Sequence, residues 1–202
     1  MATKSDIVSG MGLAMSIVTN LVSKVKKAGG TDEDIHRLVR PDGEEILDKV
    51  ADLIVTVKRQ VFKVVVDYAK SLEEMIEVGK YDNVNSDITS DHFPVTGTGQ
   101  KEKEITLFHF NRSIFSNDAI AEMEKAGYHP ALVEELLSLG AAYKELQKQF
   151  PIVALGSVWR YPDGSRHVPS LFWNGDERRL DLHCFESGWF VDWRFAAVRN
   201  AS

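Results

Sequence analysis

The stretch that decides the fold is PDGSRHVPSLFWNGDERRLDLHCFESGWFVDWRFAAV, residues 162–198. It contains three turn signals, Pro162-Asp163-Gly164, Asn174-Gly175 and Ser187-Gly188, and the runs between them are rich in Val, Leu, Phe and Trp. Asn-Gly between apolar runs is typical of a hairpin loop, because both central residues of a type I′ turn need positive φ. Residues 152–198 are therefore predicted to form a four-stranded antiparallel meander.

A two-residue loop at Ser187-Gly188 predicts the register of the last hairpin, because each residue outward from the loop acquires a partner. The predicted apolar pairs are Cys184 with Val191, Leu182 with Trp193, and Leu180 with Phe195. The predicted polar pairs on the other face are His183 with Asp192, and Asp181 with Arg194. A slip of one residue would move every side chain to the opposite face. The pattern therefore indicates one packing face and one polar ladder.

The polar ladder is the first candidate for chemistry. His183 beside Asp181 or Asp192 has the groups of a general acid–base pair, or of part of a metal site. The simpler interpretation is a set of cross-strand pairs that sets the register, since alternating polar residues are normal on an antiparallel strand. Catalytic and structural interpretations both remain open for these three residues.

His92 and His109 form a second candidate pair, in and just after the irregular segment 81–100. Irregular segments often carry functional residues, but Asp and Asn side chains in such segments also cap turns. No spacing in the chain matches a zinc, EF-hand or two-metal motif. We therefore expect neither a metal nor a cofactor.

An apolar stripe runs along the N-terminal segment. Its members follow alternating steps of four and three residues and are Ile7, Met11, Ala14, Val18, Leu21 and Val25. This spacing places them on one face of a helix, which Gly29-Gly30 ends. The stripe is a candidate interaction surface. The segment is too short and too polar for a membrane span and lacks the features of a signal peptide, so we expect a cytoplasmic protein.

The predicted fold class is α+β in two parts. Residues 1–60 form a helical N-terminal unit, and residues 61–202 form an α+β domain. Its antiparallel sheet is built from residues 104–110 and the meander, and the helices of residues 116–149 pack on one face. Residues 61–66 are either an edge strand or the end of the preceding helix, since Val-rich runs suit both.

The helix boundaries of this domain follow from capping signals. Ser71 with Glu74 forms a capping box. Ser116 or Asn117 is predicted to cap the next helix, and Pro130 is predicted to open the last one, because a missing N–H costs nothing at the first helical position.

Composition narrows the function classes. The chain has 202 residues, 24 Lys and Arg against 30 Asp and Glu, and a net charge of -6. Such a balance disfavours a general nucleic-acid binder, which usually carries a basic face. The single Cys184 removes any intrachain disulfide, which suits an intracellular protein.

Several segments carry a resemblance that covers about residues 30–200. They read VDYAKSLEEMI at 66–76, YDNVN at 81–85, HFPV at 92–95, GYHPA at 127–131 and LGSVW at 155–159. In these segments, and at Arg194-Phe195 through Arg199, the chain resembles a group of bacterial proteins without an assigned activity. The resemblance implies a bacterial source and a recurrent scaffold, and it carries over no site residues.

Three functional hypotheses follow. The first is a non-enzymatic binding or protein-interaction module, which self-associates through the N-terminal stripe. The second is a hydrolase that uses His183 with Asp181 or Asp192, or His92 with His109. The third is a single-stranded nucleic-acid binder that uses the aromatic residues of the meander together with Arg160, Arg166, Arg178 and Arg179. The missing catalytic constellation favours the first.

Overall fold

A computed structural model describes residues 4–57 and 60–199. The side chains at positions 4–11, 13, 42 and 52–57 lie outside this description. The chain divides into two compact units, residues 1–58 and 59–202. None of the helices among the described residues combines the length and the apolar character needed to cross a membrane.

The described elements of the first unit are helical. Its elements are α1 (Lys4–Lys27), α2 (Asp32–His36), the 3₁₀ turns Arg37–Val39 and Pro41–Gly43, and α3 (Glu44–Val57). The chain leaves α1 through Gly29, whose φ of 88° lies in the left-handed region that favours glycine. Thr31 caps α2 and forms a capping box with Asp34.

Among the described residues, the second unit combines three α-helices and the 3₁₀ turn Leu146–Lys148 with a large, mostly antiparallel sheet. Its elements are β1 (Gln60–Asp67), α4 (Leu72–Gly79), β2 (Asn83–Val84), β3 (Gln100–Phe108), β4 (Ile114–Phe115), α5 (Ser116–Lys125), β5 (Tyr128–Pro130), α6 (Val133–Ala142), β6 (Ile152–Val153), β7 (Trp159–Arg160), β8 (Arg166–Trp173), β9 (Arg178–Cys184), β10 (Gly188–Trp189) and β11 (Arg194–Arg199). Nine strands share one sheet in the order β1-β3-β11-β6-β8-β9-β2, with β5 beside β11 and β7 beside β8. The two strands β4 and β10 form a separate small sheet.

The segment 61–66 is a strand and not a helix end. It lies within β1, which pairs antiparallel with β3 so that Val64 faces Lys103. Val64 and Val66 are buried whereas Val65 is 56% exposed, which is the two-residue alternation of a half-buried strand. The β-branched side chains therefore decide between the two predictions.

The predicted meander is only partly present. β8 and β9 form the hairpin expected around Asn174-Gly175, and Trp173 pairs with Arg178 across its loop. β7 and β8 pair around Pro162-Asp163-Gly164. The last expected hairpin, at Ser187-Gly188, is absent among the described residues, because β11 pairs with β3, β5 and β6 instead of β9. Gly188, predicted to lie in the loop, begins β10 and pairs with Phe115.

The observed partners of β9 correct the predicted register. Cys184 pairs with His167, Leu182 with Pro169, Leu180 with Leu171, His183 with Val168, and Asp181 with Ser170. The alternation along β9 was nevertheless predicted correctly, since Leu180 and Leu182 pack against the core cluster that contains Leu171. The physical reason for the different pairing lies in β11, whose residues 195–198 are all buried. A strand buried on both faces requires a central place in the sheet.

Helices cover both faces of the sheet, which corrects the prediction of helices on one face. One core cluster joins Ala196 and Val198 of β11 to residues of α4 and α6. A second cluster joins Phe195 and Ala197 to residues of α5. Since adjacent residues of a strand point to opposite faces, α5 and α6 pack on different sides of the sheet.

Two predicted helix starts are also wrong. Phe115 is the N-cap of α5, and the Ser116 hydroxyl instead donates to the carbonyl of Phe185 at 2.6 Å and accepts from Nε1 of Trp189 at 2.8 Å. Pro130 ends β5, where it pairs with Ala197. In both cases a tertiary partner overrides the local capping preference. The capping box of Ser71 and Glu74 at the start of α4 is confirmed.

Candidate functional site

His183 lies on β9 among aromatic side chains. Its ring centroid is 4.9 Å from that of Trp193, 5.8 Å from Phe172 and 6.1 Å from Trp189. Burial lowers the pKa of the imidazole, although the nearby carboxylate of Asp181 acts in the opposite direction. The imidazole is therefore held mainly in its neutral form, because desolvation penalises the charged form.

Ser170 orients this imidazole. The Ser170 hydroxyl lies 2.8 Å from Nδ1 of His183 and also reaches the carbonyl of Asp181 at 3.3 Å. Ser170 is completely buried, so its hydroxyl is not accessible as a nucleophile. The pair therefore holds the ring and leaves Nε2 as the nitrogen available to a bound molecule. Sequence reasoning missed Ser170, because it considered the partners of β9 in the last predicted hairpin and not those in the β8–β9 hairpin, where Ser170 faces Asp181.

A cleft of about 310 Å³ opens beside His183. It is lined by Gln147, Lys148, Gln149, Phe150, Pro151, Phe172, Trp173, His183, Asp192 and Trp193. These residues come from the segment after α6, the β8–β9 hairpin and the turn before β11. The parallel pairing of β6 with β11, in which Ile152 faces Arg194, brings the first of these segments next to the last.

The charged side chains around the cleft lie beside opposite charges. Nζ of Lys148 is 2.9 Å from Oε1 of Glu145 and lies 5.2 Å from the ring centroid of Trp173. The guanidinium of Arg194 lies over Phe150 at 4.5 Å, and burial lowers its pKa while Asp192 opposes that shift. The site therefore carries little uncompensated charge.

Asp192 shares the cleft with His183, whereas Asp181 has other partners. Oδ1 of Asp181 accepts from Nδ2 of Asn85 at 2.7 Å and from the main-chain N–H of Leu182 at 2.8 Å. Its other oxygen is 3.8 Å from the guanidinium of Arg179. Asp181 thus ties the segment after β2 to β9. Among the described residues, no group of three His, Cys, Asp or Glu side chains could hold a metal ion.

The structure gives His92 and His109 different neighbours. Nδ1 of His92 is 2.8 Å from the carbonyl of Asp87, and its ring stacks on Trp159 at 3.8 Å. Nε2 of His109 is 2.7 Å from the carbonyl of Val191. The described contacts of the two histidines share no residue, so the predicted pair has no support from the geometry.

The His92–Trp159 contact belongs to a row of four rings. Trp159 is 4.1 Å from Tyr161, which is 4.3 Å from His167. The Tyr161 hydroxyl donates to Oδ2 of Asp87 at 2.9 Å, and burial together with that carboxylate raises the pKa of Tyr161 to about 12. The row fastens the loop that carries His92 to β7 and β8, so we assign it a structural role.

Arg178 is a buried structural residue, which corrects its place in the predicted nucleic-acid surface. Its guanidinium donates to the carbonyls of Gly79, Lys80, Gly140 and Lys144 and to Oε1 of Gln147. Arg166 is paired with Glu186 at 2.6 Å. The predicted arginine surface therefore loses Arg178, and the charge of Arg166 is partly neutralised by Glu186.

The candidate interaction surface lies on α1. Of the stripe, Val18 is 53% exposed, and Leu21 and Val25 are half-buried. Ile7 and Met11 are helical, but their side chains lie outside the described residues. Met15 and Ile17 beside the stripe are 68% and 57% exposed. Among the described side chains of residues 12–51, Gly43 alone is buried.

No family model, curated protein or solved structure matches the chain.

Proposed function

We propose that this protein is a non-enzymatic interaction module that self-associates through the apolar stripe of α1. The observation that carries the proposal is the apolar surface exposed on α1, a helix of 24 residues, at Val18 in the stripe and at Met15 and Ile17 beside it. Exposed apolar surface on a helix is stabilised when a partner covers it, since each fully buried Val or Leu side chain contributes roughly 1.5–3 kcal/mol.

The spacing of the stripe favours a second α1 helix as the partner. Steps of four and three residues average 3.5 residues, which is the repeat of a left-handed coiled coil. Val18 and Leu21 then occupy adjacent core positions of the heptad, and Val25 occupies the next one. A helix of this length is about 36 Å long, which is enough for such a seam.

The weak core of the helical unit supports the same conclusion. Among the described residues 12–51, Gly43 alone is buried, so the described side chains of the unit gain little from packing within one chain. Isolated helices are only marginally stable in water. Association would bury Val18, Met15 and Ile17 and would stabilise α1 at the same time.

Light scattering coupled to size-exclusion chromatography tests the proposal on the full-length protein. We expect a mass that is a multiple of the 22.7 kDa monomer, and Val18→Lys should shift it towards the monomer. The matched control is Ser16→Lys, which adds the same charge to the opposite side of α1 and should leave the mass unchanged. A monomeric wild-type protein would contradict the proposal, as would equal effects of both variants.

For the cleft beside His183, binding is better supported than hydrolysis. His183 and Asp192 do line one cleft, but the serine that contacts His183 is completely buried. If the second hypothesis were nevertheless correct, His183→Ala would abolish hydrolysis of an ester substrate such as p-nitrophenyl acetate. Absence of any wild-type activity above the buffer rate would contradict that hypothesis for this class of substrate.

A further inference from the structure

The cleft beside His183 has the size of a small-molecule site. Its volume of about 310 Å³ lies at the lower end of the range for ligand pockets. Four of its walls are half-buried aromatic side chains, Phe150, Phe172, Trp173 and Trp193. Aromatic walls with a few polar groups are typical of sites that bind a ring.

Polar groups in the cleft remain available to a ligand. Ser170 occupies Nδ1 of His183 and leaves Nε2 free to bond. Within the described part of the chain, the side chains of Gln149 and Asp192 have no hydrogen bond assigned to them. An imidazole, an amide and a carboxylate together can accept from, and donate to, several hydroxyl groups.

The balance of charge favours a neutral ligand. Lys148 is paired with Glu145 at 2.9 Å, and the guanidinium of Arg194 lies beside Asp192, to whose main-chain carbonyl it donates at 2.7 Å. A phosphate or another anion would meet no unpaired cation among the lining residues described. A neutral ring with hydroxyl groups uses the polar groups and the aromatic walls without leaving a charge unpaired.

We propose that this cleft binds a neutral saccharide ring, with the ring face against the Trp173 and Trp193 walls and the hydroxyl groups bonded to Asp192, Gln149 and His183. The carboxylate of Asp192 accepts from hydroxyl groups in charge-assisted bonds, which are roughly twice as strong as neutral ones. This site is independent of the self-association through α1.

Tryptophan fluorescence tests the inference, because Trp173 and Trp193 line the cleft. Full-length protein is titrated with methyl β-D-glucopyranoside, methyl α-D-mannopyranoside, methyl β-D-galactopyranoside and N-acetyl-D-glucosamine. We expect at least one to give a saturable change with a dissociation constant on the order of 1 mM. Adenosine and inorganic phosphate serve as comparison probes and should bind more weakly.

Two exposed positions provide variants that leave the core unchanged. Asp192→Asn and Gln149→Ala should each weaken saccharide binding about tenfold, which corresponds to about 1.4 kcal/mol. The matched control is Asp176→Asn, at an exposed position in the β8–β9 loop, which should bind like the wild type. The proposal is overturned if none of the four sugars gives a saturable change, if Asp192→Asn binds as tightly as the wild type, or if adenosine or phosphate binds more tightly than every sugar.

Discussion

The guanidinium of Arg178 donates to Oε1 of Gln147 at 3.1 Å, and the amide of Gln147 donates in turn to the carbonyls of Phe172 and Arg179 at 2.8 and 3.1 Å. Both residues are buried. Through this contact the segment after α6 is bonded to β8 and β9, and the same segment continues into the wall of the cleft. Arg178 also joins this segment to the end of α4, through the carbonyls of Gly79 and Lys80.

Replacing Arg178 by Met should lower the free energy of unfolding by about 3 kcal/mol or more. The Met side chain fills a similar volume but removes the donor from five acceptors, three of them in buried hydrogen bonds, and such groups are costly to leave unpaired. Urea denaturation measures the change. Arg160→Met is the control, because Arg160 is exposed and donates one described bond, to the carbonyl of Gly164. A similar decrease in the free energy of unfolding in both variants would contradict the structural role of Arg178.

Gly140→Ala should destabilise the protein by about 1–3 kcal/mol, although Ala normally stabilises a helix relative to Gly. A Cβ at this position of α6 would meet the hydroxyl of Tyr81 and lie 2.8 Å from Cδ1 of Leu171. Thermal and urea unfolding report the sign. A gain in stability from Gly140→Ala would contradict this prediction, because it would show that Tyr81 and Leu171 move away from the added Cβ at little cost.

The free energy of unfolding of Tyr81→Phe should lie within about 1 kcal/mol of the wild-type value or above it. The buried Tyr81 hydroxyl has no partner among the described residues, and an unpaired polar group is costly. Removing that hydroxyl also removes one of the atoms that a Cβ at position 140 would meet. The double variant with Gly140→Ala should therefore be more stable than the sum of the single changes by about 1 kcal/mol. Strict additivity in the double-mutant cycle would contradict the coupling.

The buried His183 should make stability fall as the pH decreases below its ordinary pKa of 6.5. Because the folded state lowers the pKa, the unfolded state binds more protons between the two pKa values, so stability rises with pH in this window. The contribution of His183 to the free energy of unfolding is complete above about pH 6.5 and is lost as the pH falls towards the lowered pKa of the folded state. Urea midpoints across this window should show a smaller slope for His183→Gln, and His36→Gln at an exposed position is the control.

Glu73 should contribute to stability in the acid range. Its carboxylate accepts from the Ser90 main-chain N–H at 2.8 Å and from the Ser90 hydroxyl at 2.6 Å, and these bonds lower its pKa to about 2. The contribution is complete above about pH 4.5 and is lost as the pH falls towards 2. Glu73→Gln should reduce the slope of stability against pH in this window, whereas the exposed Glu77→Gln should not. Identical slopes for wild type and Glu73→Gln would contradict this role.

The parts of the fold that were predictable are those encoded within a few residues. The capping boxes of Thr31 with Asp34 and Ser71 with Glu74 are local hydrogen bonds, and the Asn174-Gly175 hairpin depends on local turn chemistry. The alternation of β9 also follows from its own residues, which is why Leu180 was assigned correctly to the packing face. The same alternation predicted that His183 lies on the opposite, polar face of β9.

The candidate site was predictable only in part. His183 and Asp192 do share a cleft, although they were expected to oppose each other on paired strands. Gln147 and Ser170 were missed, because their roles depend on carbonyls and on an imidazole that other segments bring to them. The composition of the sequence and the spacing of its residues do not indicate which residues of distant segments become neighbours in the folded protein.

Local sequence thus indicates most of the helices and strands of this protein and which side of a strand is apolar, because capping bonds, turn geometry and side-chain alternation act over a few residues, but tertiary partners decide where α5 and α6 begin. Tertiary packing alone decides which strands become neighbours. The run Phe195-Ala196-Ala197-Val198 is buried on both faces and is stabilised in the middle of the sheet, beside β3 and β6, rather than at the end of a meander. The central position of β11 is favoured because burial of β11 contributes more free energy than the cross-strand pairs of the predicted hairpin would. This position places Asp192 and Trp193 in the wall of the cleft beside His183.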